Sequence, residues 1–275
     1  MPRSSVIPLS QSAYLSIRTA IVELAIEPGS FLLDRDVADT VGASRTPVRE
    51  ALARLEVEGW IESVPRKGYR VLPINYEEFP EIMGMLSGIE EAGAVAMAGE
   101  GNPFRVSVLR EINSQLQLLA DEGGWEMFLG LDDNFHRMAV SEAVGHHLTG
   151  SIYSLLVDQL HRARKLQHSP AAELQHHVEE HRVFILAVEL GDADAAALLA
   201  RGHRQRLAAR LLSSTVEADR LREVEESERT DPGEVPPGEQ GGVVPGSVRA
   251  RLGLIRPKVL PAEEGSAERG DPRTT

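Results

Sequence analysis

Asp132, His136, His181 and His203 have the types and the spacing of a metal centre. Asp132 and His136 lie four apart in Leu131-Asp132-Asp133-Asn134-Phe135-His136, one helical turn, so both side chains leave the same face. Phe128, Ala139 and Ala143 share that face. A carboxylate set in an apolar stripe is costly unless it is paired or holds a cation, whereas its neighbour Asp133 can face water. His181 belongs to the stripe Leu174, His177, Ile185 and Val188, and His203 to the stripe Ala196, Leu199 and Leu207. Leu190-Gly191-Asp192-Ala193-Asp194 between them reads as a stop, a turn and a new cap, which predicts an antiparallel helical hairpin. His181 and His203 stand almost equally far from that turn, so they sit at one height, placed to meet Asp132 and His136 around one ion.

A lone histidine on an apolar face is ordinarily a hydrogen-bonded core residue; the joint arrangement is what argues for a ligand set. His177 and His181 are also four apart and form a competing pair, ranked second. With three imidazoles and one carboxylate, zinc is the default divalent metal, and nickel or manganese also fit. The chain has no cysteine, which excludes disulfides and thiolate sites.

A second constellation lies near the start. Ser44 reads as an N-cap, Pro47 suits a first helical turn, and Glu58-Gly59 supplies a stop, so Ser44-Arg45-Thr46-Pro47-Val48-Arg49-Glu50-Ala51-Leu52 opens a well-bounded helix. Val48, Leu52 and Leu55 form its buried stripe while Arg45, Thr46 and Arg49 project at its N-terminal end. Upstream, Ala13, Tyr14, Ile17 and Ile21 mark a first amphipathic helix, broken by Glu27-Pro28-Gly29. A second, short helix capped by Asp34 carries Val37, Ala38 and Val41 inward before Gly42-Ala43 turns the chain. Trp60 to Val64 and Tyr69 to Leu72 are short β-type runs joined by Pro65-Arg66-Lys67-Gly68, a hairpin with two cations at its tip. Three helices and a basic hairpin make a winged helix-turn-helix, which implies double-stranded DNA as a partner.

The elements that position these residues fall into two parts and a tail. The fold class is mainly α: a winged helix-turn-helix over 8–73, then an all-helical bundle over 76–215, with 216–275 expected as a disordered tail rich in Pro, Gly and charge. Six helices are expected in the bundle: Tyr76 to Ala98, Pro103 to Ala120, Gly124 to Val144, His146 to Gln167, Ala171 to Leu190, and Asp194 to Leu212. The formal net charge of −13 argues against nucleic acid for the chain as a whole. Residues 1–72, however, hold nine Arg/Lys and nine Asp/Glu, a net of 0, so the acidity falls entirely on residues 73–275. A neutral domain with one local basic patch makes few phosphate contacts, and a homodimer sharing two half-sites is expected. With no signal peptide and no apolar run long enough to span a bilayer, a soluble cytoplasmic protein is expected.

Pro28-Gly29, Val37-Ala38, the run from Ser44 to Leu52, Leu55, Glu58-Gly59 and Gly68 together resemble the GntR family of bacterial transcription regulators. That resemblance implies DNA contacts at Arg35, Ser44, Arg45, Thr46 and Arg49 and at the wing residues Arg66, Lys67 and Gly68. Asp132 to His136, Glu180-His181, and Gly191-Asp192 followed by an Ala-rich helix to His203 are similar to the FCD effector domain of the FadR-type subfamily. The resemblance implies a divalent ion on Asp132, His136, His181 and His203, and a small organic acid effector completing its shell. Members commonly carry an Arg where this chain has Leu86, four before Glu90, so Arg137 and Arg162 become candidates for the effector's anionic end, with Arg164 a further source of positive charge. His146, His147, His161 and His168 read as surface or loop residues. The implied function is a ligand-responsive regulator, a repressor, and not an enzyme. A metal-dependent hydrolase or oxygenase and a purely metal-sensing regulator are the alternatives.

Overall fold

The computed structural model describes residues 8–141, 148–167 and 169–229, with side chains as far as 213. The first unit is built from α1 (Leu9–Val22), β1 (Phe31–Leu32), α2 (Asp34–Val41), α3 (Arg45–Val57), β2 (Ile61–Val64) and β3 (Gly68–Val71). The sheet is antiparallel in the order β1-β3-β2, with Ile61 opposite Val71 and Phe31 opposite Arg70. The two-residue β1 has no counterpart among the expected elements; it is too short to show a period of two. Gly68 is required where β1 meets the wing: its φ is +93°, and a Cβ there would lie 2.4 Å from the Leu32 carbonyl oxygen.

Ile17, Ile21, Val37, Val48, Leu52, Leu55 and Trp60 form the core of this unit. Glu58, at the end of α3, accepts from the Tyr14 hydroxyl at 2.8 Å and from the Trp60 indole N–H at 3.2 Å, tying α1 to the turn into the sheet. Two expected caps take other roles. Ser44 occupies the N-cap position of α3 but its hydroxyl caps nothing, and Leu33 rather than Asp34 is the N-cap of α2. The Asp34 carboxylate is drawn away by arginines on α3.

After a 3-10 turn over Tyr76–Glu78 come α4 (Phe79–Glu100), α5 (Pro103–Glu122), α6 (Trp125–Val140), α7 (Leu148–Lys165), α8 (Ala171–Glu189) and α9 (Ala193–Arg229). Helix α9 thus runs past the expected end of the bundle. The stretch Glu217 to Arg229 has no Gly or Pro to break the helix. The rest of the expected tail, 230–275, lies outside the described residues, as do His146, His147 and His168. The bundle has two apolar clusters, one around Phe128, Phe135, Leu109 and Ile185 and one around Leu86, Tyr153, Leu160 and Leu207. Gly93 lets α4 and α6 approach closely, since a Cβ there would stand 2.8 Å from the Val140 Cα. That approach sets Glu90 of α4 against His136 of α6.

The two units are joined through α7. Leu155 packs on the core of the first unit, and the Arg162 guanidinium donates to the Leu72 carbonyl at 2.7 Å. Asp158 pairs with Arg18 of α1 at 2.8 Å, and Lys165 with Glu23 just beyond it.

Candidate metal centre and DNA-binding surface

Helices α6, α8 and α9 bring Asp132, His136, His181 and His203 into one buried cluster, and His177 joins them. The four histidines offer ligand nitrogens that all lie within 4.8 Å of one another. Asp132 Oδ1 is 3.4 Å from His177 Nε2, 3.6 Å from His181 Nε2 and 3.9 Å from His136 Nε2. None of these atoms, nor His203 Nε2, has a hydrogen-bond partner, although all are buried. Buried polar atoms are almost always satisfied, so several of them turned on one point have the arrangement of a candidate ligand set. The donor chemistry, imidazole nitrogen and one carboxylate oxygen, fits a divalent transition ion.

The outer sides of these ligands are held. Glu180 Oε2 lies 2.7 Å from His203 Nδ1, which leaves Nε2 for the cluster, and Glu90 Oε1 faces His136 Nδ1 at 3.5 Å. Each carboxylate is in turn gripped by an arginine: Arg164 donates to Asp132 Oδ2 at 2.6 Å, Arg204 makes two bonds to Glu90, and Arg206 donates to Glu180. Tyr153 also donates to Glu90, at 2.8 Å. Burial alone raises the Asp132 carboxyl, but Arg164 and the nearby histidines outweigh it and hold the group well below the usual carboxylate range. Burial drives His177 down to about 4 and His181 and His203 to about 3, and His136 is lowered in the same way. An ionised carboxylate among neutral imidazoles is the protonation state that a metal requires.

Beside the cluster is a cavity of about 20 Å³ lined by Glu90, His136, Glu180, His181 and His203 with Phe135 and Phe184. That is room for one water-sized sphere. Arg137 and Arg162, the expected effector residues, do not line it. Arg137 follows His136 by one position, about 100° round the helix, and bonds Ser154 and Asp158 instead. Arg162 is two positions from Arg164 on α7, so Arg164 enters the cluster while Arg162 reaches Leu72. Burial lowers the Arg162 guanidinium to about 10. The cationic residues at the site are Arg164 and Arg204. Arg204 had no sequence signal apart from its position next to His203.

His161 is likewise buried rather than on the surface. Its Nδ1 lies 2.6 Å from Asp133 Oδ2 and its Nε2 3.4 Å from Glu23 Oε1, and although burial opposes the charge, these carboxylates raise it to about 9.

In the first unit Arg45, Thr46 and Arg49 are exposed at the start of α3, beside exposed Ser44. Arg45 and Arg49 both donate to Asp34, each at 2.8 Å, and Arg35 to Asp36 at 3.1 Å. Arg66 and Lys67 are exposed at the wing tip, Arg66 at φ 66° and Lys67 over the Phe31 ring at 5.7 Å. Gly68 is explained by the close approach of β1. Exposed arginines at a helix N-terminus, with a basic wing beside them, suit phosphate and base-edge contacts.

A winged helix-turn-helix joined to a separate helical domain defines a two-part DNA-binding regulator. Residues 9–71 match the family described as bacterial regulatory proteins, gntR family, and residues 81–206 match the FCD domain. The chain belongs to the GntR family of transcription regulators, with an FCD domain as its second part. It is 28% identical over 190 residues to an uncharacterised HTH-type transcriptional regulator in an unstable DNA locus of Streptomyces ambofaciens, covering 69% of this chain and 79% of that protein. It is 25% identical over 200 residues to the HTH-type transcriptional repressor RspR of Escherichia coli K12, covering 73% of this chain and 87% of the repressor. The fold is similar to that of E. coli McbR/YncC, with a TM-score of 0.65 at 23% identity over 76% of this chain and all of that one. The family and these relatives are regulators, not enzymes. No helix among the described residues is long and apolar enough to cross a membrane.

Proposed function

We propose that the protein is a homodimeric, cytoplasmic repressor whose helical domain senses a small organic acid through a divalent ion, zinc by default. The observation that carries this is the convergence of buried, unpartnered donors from α6, α8 and α9. Asp132, His136, His181 and His203 hold the ion, which supplies a Lewis-acid position for a carboxylate. Arg35, Ser44, Arg45, Thr46, Arg49, Arg66 and Lys67 contact operator DNA, two copies spanning two half-sites. The small cavity sets the coupling. An organic acid does not fit in 20 Å³, so it binds only a state in which α6, α8 and α9 have moved apart.

Helix α6 conveys that motion. Its Asp132 and His136 face the ion, while Asp133 and Arg137 on the adjoining face hold His161 and Asp158 of α7, which meet Glu23 and Arg18 at α1. Displacing α6 therefore pulls on the contact between the two units. The same small cavity favours a second reading, in which the ion alone is the signal.

The test is a fluorescence-anisotropy titration on the chain's own promoter region, with and without chelator, followed by a panel of small carboxylates. Release by one acid from metal-loaded protein alone is the expected result. Release on adding or stripping metal with no acid present points to the second reading. A His136→Ala variant that keeps both metal binding and acid response overturns the site.

A further inference from the structure

We infer that His177 is a fifth protein ligand of this ion, leaving one position open on a six-coordinate metal, so that an acid effector binds end-on through a single oxygen. The inference rests on the metal-centre reading and deepens it. His177 stands one turn before His181 on α8 and is only 3% exposed. Its Nε2 points among the other donors, without a hydrogen-bond partner and 3.4 Å from Asp132 Oδ1. Its ring lies 4.2 Å from that of His203 and 5.2 Å from that of His181, both in edge-on contacts, and its ligand nitrogen is within 4.8 Å of those of the other three histidines.

Ligands on opposite sides of one ion, each at about 2.1 Å, stand about 4.2 Å apart, and adjacent ones about 3 Å. The separations here, from 3.4 Å between Asp132 and His177 to at most 4.8 Å among the imidazoles, surround a single hole of that size. His177 stands closer to the carboxylate oxygen than His181 or His136 does. A tetrahedral shell cannot use four imidazoles and a carboxylate together, so the arrangement suits ions that accept five or six ligands, such as nickel or manganese, better than a four-coordinate zinc. With five positions filled by protein, a chelating acid cannot place two oxygens on the metal without displacing a ligand. Selectivity must then come from what surrounds the free end of the acid.

The test is X-ray absorption on nickel-loaded full-length protein, which counts imidazoles by their scattering, together with calorimetric nickel titration of wild type and His177→Gln. Four imidazoles in the wild type, three in the variant, and nickel affinity at least roughly tenfold lower in the variant are expected. Three imidazoles in the wild type overturn the assignment and leave His177 as a neighbour of Asp132; this outcome needs no variant to fold. Wild-type protein that takes up no ion at all overturns the metal-centre reading itself, a result distinct from a miscounted ligand.

Discussion

Replacing Glu90 by leucine tests whether the arginine frame around the histidines is built from buried charge. Glu90 is 4% exposed and Arg204 is 2% exposed. Two hydrogen bonds, from Nε and Nη2 of Arg204, join them, and the third guanidinium nitrogen, Nη1, has no acceptor. Glu90→Leu strips that buried cation of its hydrogen-bonded counter-charge and leaves only the more distant Asp132, which costs at most about 3–5 kcal/mol. In a molecule whose total stability is about 5–15 kcal/mol, the loss lowers the melting temperature by roughly 10 °C. Glu90→Leu/Arg204→Met removes both charges. A buried pair exchanged for apolar groups is often neutral, so what remains is the unsatisfied Tyr153 hydroxyl, about 1–3 kcal/mol. Urea unfolding of the metal-free proteins measures the difference: the double variant should recover a large part of what the single variant loses. Equal losses would refute the reasoning, since Arg204 would then have found water or another acceptor and would not be a stranded charge.

Glu180→Gln should weaken divalent-ion binding about 10- to 100-fold in calorimetry with little change in unfolding midpoint, because it loosens His203 from outside while Glu180 remains partly solvated. Arg49→Ala should cost about 1–3 kcal/mol of operator binding in anisotropy titrations, and Arg49→Lys should fail to restore it if the contact is a two-pronged grip on guanine. Asp34→Asn frees Arg45 and Arg49 from their exposed pairs, each worth at most about 1 kcal/mol, and should tighten binding to random-sequence DNA measured at low salt. His161 has a folded pKa of about 9, above the ordinary 6.5, so its contribution is fully present below about pH 6.5 and is lost as pH rises through about 9. The loss is at most about 3 kcal/mol, and it should disappear in His161→Phe when unfolding midpoints at the two pH extremes are compared.

What was legible in the chain was local. The spacing of four between Asp132 and His136, and the matched distances of His181 and His203 from the Gly191 turn, survive folding because helical geometry alone carries them. The same rule misled where a helix is covered all round, as over residues 160–164. Helix α7 lies between the two units, so His161 and Arg162 are buried on faces that periodicity assigns to water, His161 against Glu23 from far along the chain. Arg137 is turned away from the histidine cluster by a single step of helical rotation.

The pairs Asp132 with Arg164, Glu90 with Arg204 and Glu180 with Arg206 each join different helices, and no local pattern announces such partners. They also explain why the donors converge. Asp132 Oδ2 is pinned from outside by an arginine, which leaves Oδ1 as the inward lobe; His203 Nδ1 is held by a carboxylate similarly pinned, which leaves Nε2 inward. These outer contacts orient the inward donor atoms. With those atoms turned inward from three helices, a bound ion would tie α6, α8 and α9 together.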